Sequence, residues 1–297
     1  MTSQMFAILK REPSDSISTF FNEIVTCRLD DGSVRRLLLK RGAPDSNPTY
    51  GRHLAYGHRG GPRYEAEVYR RVLAPLRTSA PRFHASNTDP TTGETTLLID
   101  YIADATTLKH AELETVLQAA RWIGAFHQSN ESRVSALRGA ITEYDAAYYL
   151  GWVRRTLALT RNLHLPWLPA VCRCFEDVIR ELLAASPTII HGEYFPTNIL
   201  VSGKLIAPVD WESAAIAAGE IDLVTLAQGW GDQAREALVA EYRFARWGEE
   251  VPTGFERRLA IADLYLLFRW FEDFDFADRE EWFLIARQLG ERLGAFK

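Results

Sequence analysis

Asn198 and Asp210 have the types and the spacing of two ligands in a metal site. Asn198 precedes the apolar run Ile199 to Val201, and Asp210 follows a second run, Leu205 to Val209. Between the runs, Ser202-Gly203-Lys204 predicts a tight turn, so we expect a hairpin that returns the carboxylate to the amide. Amide and carboxylate oxygens can hold Mg²⁺ on nucleotide phosphates, as phosphoryl transfer requires.

A further acid, Glu193, stands five residues before Asn198 in the sequence His191-Gly192-Glu193. An acid close to a metal-binding amide and carboxylate can take or orient the proton of the attacking hydroxyl. Glu and Asp have nearly the same intrinsic pKa, so this proton chemistry is open to Glu. The candidate catalytic residues are therefore Glu193, Asn198 and Asp210.

The spacing resembles the H-R-D-x-x-x-x-N loop of protein kinases, followed by their metal-binding Asp. Gly192 and Trp211 make the stretch more similar to aminoglycoside phosphotransferases and choline kinases, with H-G-D-x-x-x-x-N and then I-D-[WFY]-[ED]; Glu193 replaces the usual Asp. The resemblance implies an α+β, bilobal protein kinase-like fold. Residues 1–101 would form a β-rich, nucleotide-binding N-terminal lobe, and residues 102–297 a mainly helical C-terminal lobe with the catalytic loop and the acceptor site.

The same resemblance implies roles for three neighbouring side chains. Glu212 occupies the position of a second acid that would act on the metal through water; a salt bridge is the alternative. Asp222 corresponds to an Asp that caps a helix and braces the catalytic loop. His191 would brace that loop by hydrogen bonding. The candidate metal ligands are Asn198, Asp210 and Glu212.

Nucleotide contacts are implied in the first third of the chain. Lys40 closes an apolar strand, where the family has the Lys of the α- and β-phosphates; a solvated strand end is the alternative. Its partner on the next helix would be Glu65, with Glu67 as the alternative. Asp100 and Ile102 stand at the expected hinge, where backbone groups bind the adenine edge, and are assigned on position alone.

Hydrophobic periodicity predicts the elements that position these side chains. β-branched and aromatic runs bounded by turn signals predict strands at 20–29, 34–39, 81–86 and 95–99. Apolar stripes at helical spacing predict helices at 64–74, 112–128, 144–163, 171–183, 232–244, 254–272 and 278–293. His127 falls on the apolar stripe of the second helix, which favours a buried, hydrogen-bonded histidine over a catalytic one.

Three segments have less specific patterns. Residues 13–19 occupy the place of a phosphate-covering loop but contain no glycine, and the Gly- and Pro-rich segment 41–62 is either a flap over the nucleotide or disordered. Residues 270–276 alternate aromatic and acidic side chains. They form either a helix end with its aromatics in the core or a rim that attracts a cationic substrate.

Composition is that of a soluble globular protein: 297 residues, 47% hydrophobic, 25% charged and a formal net charge of -5. The slight acidity argues against a nucleic-acid partner. Cys27, Cys172 and Cys174 suit neither a disulfide framework nor a zinc site. We expect no membrane span, because no apolar run reaches about 18 residues. The first residues lack signal-peptide features, so a cytoplasmic location is expected.

The resulting hypothesis is a phosphotransferase that uses ATP, or GTP, with Mg²⁺. The acceptor would be a hydroxyl of a small molecule, cationic or neutral: an aminoglycoside or other antibiotic, an amino alcohol or a sugar. The alternative is a catalytically silent nucleotide-binding protein or scaffold of the same fold. A protein kinase is disfavoured, because no A-P-E segment and no recognisable activation loop lie between Asp210 and Asp222.

Overall fold

A computed structural model of the chain describes residues 6–14, 20–43, 56–273 and 279–296. The chain divides into two compact units. One comprises Met1–Ala111 with Pro196–Ala214, and the other Glu112–Phe195 with Ala215–Lys297. The predicted boundary lies after residue 101. The first unit instead extends to Ala111 and also includes the later segment that contains Asp210.

Antiparallel strands form the main sheet of the first unit. In its described residues the spatial order is β1-β2-β3-β5-β4. Apolar side chains on one face form a core cluster of Val25, Cys27, Leu37, Leu39 and Leu98. The strands are β1 Ala7–Pro13, β2 Phe21–Arg28, β3 Val34–Gly42, β4 Phe83–Thr88 and β5 Thr95–Asp100.

The alternation along β3 determines where Lys40 points. Leu37 and Leu39 are buried in the core cluster, so Lys40, one residue on, faces the other side of the sheet. The first helix, α1 Gly61–Val68, packs against β3 and β5. Pro62 is its second residue, and the fixed φ of proline suits the first turn of a helix. Helix α1 buries Glu65 among its apolar residues.

The helix predicted over 64–74 is less regular than its periodicity indicates. After α1 the chain continues as a π-helix, Tyr69–Leu73, and a short α2, Ala74–Leu76. Apolar spacing alone cannot reveal the change, because Tyr69, Val72 and Leu73 stay buried through it.

The predicted hairpin is present in the first unit. Its strands are β8 Ile199–Ser202 and β9 Leu205–Pro208, paired antiparallel with Ser202 opposite Leu205. Two residues remain for the turn, and the first, Gly203, has φ +59°. Glycine adopts that conformation without steric cost. A short strand, β6 Thr106–Thr107, extends this small sheet along β8.

The second unit is mainly helical. Strands β7 Thr188–Ile190 and β10 Ala215–Ala217 pair antiparallel beside the helices. The helices are α3 Leu113–Glu131, α4 Val134–Leu137, α5 Ala146–Thr160, α6 Leu168–Leu183, α7 Glu220–Leu226, α8 Asp232–Trp247, α9 Phe255–Asp273 and α10 Arg279–Leu293. Helix α9 is central, because it packs against α5, α6, α7 and α10.

The long helices agree with prediction to within a few residues, whereas the strand β1 and the short elements β6, α4, β7, β10 and α7 were not predicted. Elements this short hold too few residues for a periodic pattern. All three cysteines are buried free thiols. None of the helices in the described ranges combines the length and apolar composition that a membrane span requires. Three predicted segments fall partly outside these ranges, at residues 15–19, 44–55 and 274–276.

Candidate functional site

Lys40 is the buried centre of a charge cluster in the first unit, formed with the buried Glu65 and the half-buried Asp210. Its Nζ lies 2.7 Å from Glu65 Oε2 and 2.5 Å from Asp210 Oδ1, and the residue is only 5% exposed. A buried ammonium is costly unless carboxylates compensate it. Burial lowers the pKa of Lys40, but the negative charges of Asp210 and Glu65 outweigh burial. The pKa of Lys40 is therefore well above its ordinary value. The two carboxylates thus favour the charged ammonium.

Helix α1 presents its two acids differently. Glu65 lies beside Lys40 and also accepts a hydrogen bond from the Trp211 N–H, at 3.2 Å. Glu67 pairs with Arg70 and Arg71 on the exposed face. Thus Glu65 is the acid that holds both the ammonium and the backbone just after Asp210. Burial raises the pKa of Glu65, while Lys40 opposes the shift.

Asp210 has an unusual backbone, with φ +66° and ψ +57°. Asp tolerates this left-handed region better than most residues, yet such conformations cost about 1–3 kcal/mol and cluster at functional sites. The N–H of Val209 donates to the carbonyl of Asn198 at 2.9 Å. The backbone of Asn198, at the end of the 3₁₀ helix Pro196–Asn198, therefore lies across the hairpin next to Asp210.

Glu212 is almost fully buried, with 2% exposed, in the short helix Trp211–Ser213. Its Oε1 lies 3.9 Å from Arg59 Nε, whereas Oε2 is buried with no hydrogen-bond partner among the described residues. Burial, and then the charge of Asp210, raise the pKa of Glu212 to about 8. Its carbonyl accepts the Gly60 N–H at 2.8 Å, which ties the start of α1 to this turn.

The residues around Asp210 fit a hard cation. Within the described ranges, no three His, Cys, Asp or Glu side chains are grouped so that they could hold a metal by themselves. Asn198, Asp210 and Glu212 each offer side-chain oxygen donors, and the buried Oε2 of Glu212 accepts no hydrogen bond from the described residues. Mg²⁺ prefers oxygen donors and takes few of them from protein, with water and phosphate supplying the rest.

Asp100 is engaged with β4. Its N–H donates to the Arg82 carbonyl at 3.0 Å, and its Oδ1 lies 2.6 Å from His84 Nε2. Burial raises the pKa of Asp100, but the His84 and Arg82 hydrogen bonds outweigh burial and lower it overall. An adenine contact at this position would need a backbone group other than the Asp100 N–H. Ile102, two residues on, is half-buried.

In the second unit, Asp222 organises the loop that contains Glu193. Its carboxylate accepts hydrogen bonds from the backbone N–H groups of His191 at 2.6 Å and Gly192 at 2.9 Å, and lies 3.1 Å from His127 Nε2. The loop bracing implied by the resemblance is present. The helix-capping role is wrong, because Asp222 lies within the first turn of α7 and the N-cap residue, Gly219, has no side-chain cap hydrogen bond.

His127 and His191 are both fully buried. The Nδ1 of His127 lies 2.9 Å from the Tyr242 hydroxyl, so each ring nitrogen has a partner, as predicted for a core histidine. The Nδ1 of His191 accepts the Glu193 N–H at 3.3 Å. The loop is thus held by side chains that the protein interior keeps from water.

The variant Asp222→Asn tests whether the Asp222 carboxylate braces the loop through the N–H groups of His191 and Gly192. An amide has one acceptor oxygen, and its NH₂ would face a buried N–H, so we expect the free energy of unfolding to fall by about 2–3 kcal/mol. Urea unfolding of both proteins measures the difference. Asp232→Asn is the control, because Asp232 is exposed in the first turn of α8, where the change costs at most about 1 kcal/mol. Equal losses in the two variants would contradict the bracing role.

The carboxylate of Glu193 is paired with Arg269, which the sequence did not reveal. Arg269 Nη2 lies 2.7 Å from Glu193 Oε1, and both side chains are buried. The one available signal was a single cationic residue in the apolar run of α9, and that pattern names no partner.

The aromatic segment that begins at residue 270 is packed in its described part. Trp270 stacks with Phe195 and contacts Trp282, with ring centroids 6.1 and 5.0 Å apart, and Phe271 is buried. Glu272 lies 3.1 Å from Arg155 Nε. These contacts favour the helix-end interpretation for residues 270–272.

Comparison with known proteins gives one family and many similar folds. A profile of the phosphotransferase enzyme family matches residues 25–261. The choline kinase LicA from Streptococcus pneumoniae is 15% identical, with a TM-score of 0.61 over 96% of this chain and 93% of that one. No curated protein matches in sequence.

Two further solved structures have the same fold. A putative fructosamine-3-kinase from Thermobifida fusca is 18% identical, with a TM-score of 0.61 over 97% of this chain and 95% of that one. The streptomycin–ATP–APH(2")-IIa ternary complex is 12% identical, with a TM-score of 0.59 over 97% and 93%. At these identities the likeness concerns fold alone, and it confirms the expected β-rich N-terminal and helical C-terminal regions.

Proposed function

The chain belongs to the phosphotransferase enzyme family, and from that premise we propose that it transfers the γ-phosphoryl group of ATP to a hydroxyl of a small molecule, with Mg²⁺. The observation that carries the proposal is the charge cluster of Lys40, Glu65 and Asp210, in which the first two side chains are buried and Asp210 is half-buried. A protein that only needed stability would gain little from such a cluster, since apolar residues of similar volume serve as well or better. The fold neighbours named above are a choline kinase, a fructosamine kinase and a complex with ATP and streptomycin.

Each charged group of the cluster has a role in this proposal. Lys40 binds the α- and β-phosphates, and Glu65 keeps its long side chain in place. Asp210 and Asn198 would hold Mg²⁺, with Glu212 as a second acid close to it. The bound ion would neutralise charge on the phosphates.

Glu193 orients the acceptor hydroxyl and receives its hydrogen bond. Its backbone is held by the loop, in which His191 Nδ1 accepts the Glu193 N–H and Asp222 accepts the His191 N–H. Orientation of this kind supplies much of the rate in phosphoryl transfer, since the reaction asks the protein mainly for positioning and charge stabilisation.

The alternative is a nucleotide-binding protein without turnover. One observation favours it: the acid at position 193 is Glu where the family has Asp, and a displacement of about 1 Å can reduce a rate about 100-fold. Against it, the acids and the Lys that the chemistry requires are all present in the chain.

Thermal melting and turnover together test the proposal. We expect Mg²⁺ with ATP to raise the melting temperature. When the ATP concentration is 100 times its dissociation constant, the folded state should gain about 2.7 kcal/mol of stability. Samples with GTP in place of ATP test the nucleotide preference. Samples treated with EDTA test whether nucleotide binding depends on a divalent metal ion. Phosphate transfer is then assayed with choline, a fructosamine, streptomycin and simple sugars. Stabilisation without turnover on any acceptor would favour the silent alternative, and the absence of both would contradict nucleotide binding.

A further inference from the structure

One guanidinium holds both the backbone and the side chain of the Glu193 loop. Arg269, on α9, places Nη2 2.7 Å from Glu193 Oε1 and Nη1 3.1 Å from the Gly192 carbonyl oxygen. The two charged side chains have only 1% and 4% of their area exposed. Away from water, a planar guanidinium that donates to two acceptors fixes the orientation of the Glu193 carboxylate as well as its distance from Arg269.

The guanidinium is itself held in place. It lies over the ring of Phe195, 5.5 Å from the centroid, a distance suited to a cation–π contact. Phe195 stacks in turn on Trp270, the neighbour of Arg269 in α9. The Phe195 N–H also donates to the Glu193 carbonyl at 2.7 Å. The helix and the loop therefore fix the guanidinium from two directions.

We propose, on the basis of the phosphoryl transfer proposed above, that Arg269 is a positioning residue for Glu193. Glu has one more methylene than Asp and hence one more rotatable bond, which would blur the position of its carboxylate. The contact with Arg269 removes that freedom. The longer side chain also reaches the guanidinium, which an Asp at this position, about one C–C bond of 1.5 Å shorter, would not. Glu193 and Arg269 thus act as a matched pair.

Arg269→Lys is the main test, because it keeps the buried charge. An ammonium lacks the planar fork that binds the Glu193 carboxylate and the Gly192 carbonyl together. We expect kcat to fall about 10- to 100-fold, with KM for ATP changed by less than about threefold. Glu193→Asp should lower kcat similarly. The double variant should be little slower than the slower single variant, because both changes break one contact.

Two controls separate positioning from stability. Arg257→Lys changes another arginine of α9, whose partner Glu181 lies on the exposed surface, and should leave kcat unchanged. In Arg269→Ala, added guanidinium chloride at millimolar concentration should restore part of kcat, whereas ammonium chloride should not. If the Ala variant does not fold, as judged by thermal melting, the Lys variant alone decides.

The assay uses any alcohol phosphorylated in the acceptor panel, or otherwise the hydrolysis of Mg²⁺–ATP with water as acceptor. Three results would contradict the positioning role of Arg269 and leave the proposed function in place. They are an unchanged kcat in Arg269→Lys, a faster Glu193→Asp, and additive losses in the double variant. Wild-type protein without any turnover would instead contradict the proposed function, and the positioning role with it.

Discussion

Replacement of Asp210 by Asn should lower magnesium-dependent turnover at least about 1,000-fold, a loss of about 4 kcal/mol of transition-state stabilisation. The carboxylate is the only charged metal ligand on the hairpin in this proposal, and an amide of the same shape lacks the charge that Mg²⁺ needs. Because Asn also tolerates a φ of +66°, the backbone should stay as it is. Initial rates over a range of Mg²⁺ concentrations measure the effect.

Asp104 provides the matched control for this substitution. It is another Asp of the first unit with a positive φ, +54°, but it is exposed. Asp104→Asn should leave the rate and its magnesium dependence within about twofold, since surface changes away from a site rarely exceed about 0.5 kcal/mol. Full activity of Asp210→Asn at ordinary Mg²⁺ concentrations would remove Asp210 from the metal site.

Lys40→Met should lower the free energy of unfolding by about 3–5 kcal/mol, which is more than the loss predicted for Asp222→Asn. It leaves Glu65 buried without its counter-charge, and breaking a buried ion pair from one side has this cost. Denaturant unfolding measures it. Lys10→Met is the control, because Lys10 pairs with Glu12 on the exposed edge strand β1 and contributes about 0–1 kcal/mol.

A double variant separates the two roles of Lys40. Lys40→Met with Glu65→Gln removes both charges, so much of the lost stability should return. Stabilisation by Mg²⁺ with ATP should not return, because the cation that binds the phosphates is still missing. A double variant that regains nucleotide binding would show that Lys40 has only a structural role.

The parts of the site that the sequence predicted are those encoded locally. The hairpin follows from a turn signal between two apolar runs, and its register alone places Asn198 near Asp210. Lys40 and Glu65 were assigned from the resemblance to the family, and in the structure the alternation along β3 and the face of α1 account for their burial. In each case a short pattern, or the spacing of two neighbouring elements, determines the geometry.

The parts that were missed depend on distant partners. Arg269 meets Glu193 across 76 residues of chain, and Arg59 meets Glu212 across more than twice that separation. Each is one charge in a context that predicts something else, an apolar helix or a glycine-rich loop. The π-helix Tyr69–Leu73 was missed because its buried positions fit an α-helical stripe as well.

The interrupted chain path of the first unit has a consequence for synthesis on the ribosome. Lys40 and Asp210 are separated by 170 residues. At about 5–20 residues per second, the second carboxylate emerges roughly 9–34 s after the ammonium it neutralises. During that interval Lys40 has Glu65 but not Asp210 beside it, so chaperones have a defined interval in which to bind the nascent chain.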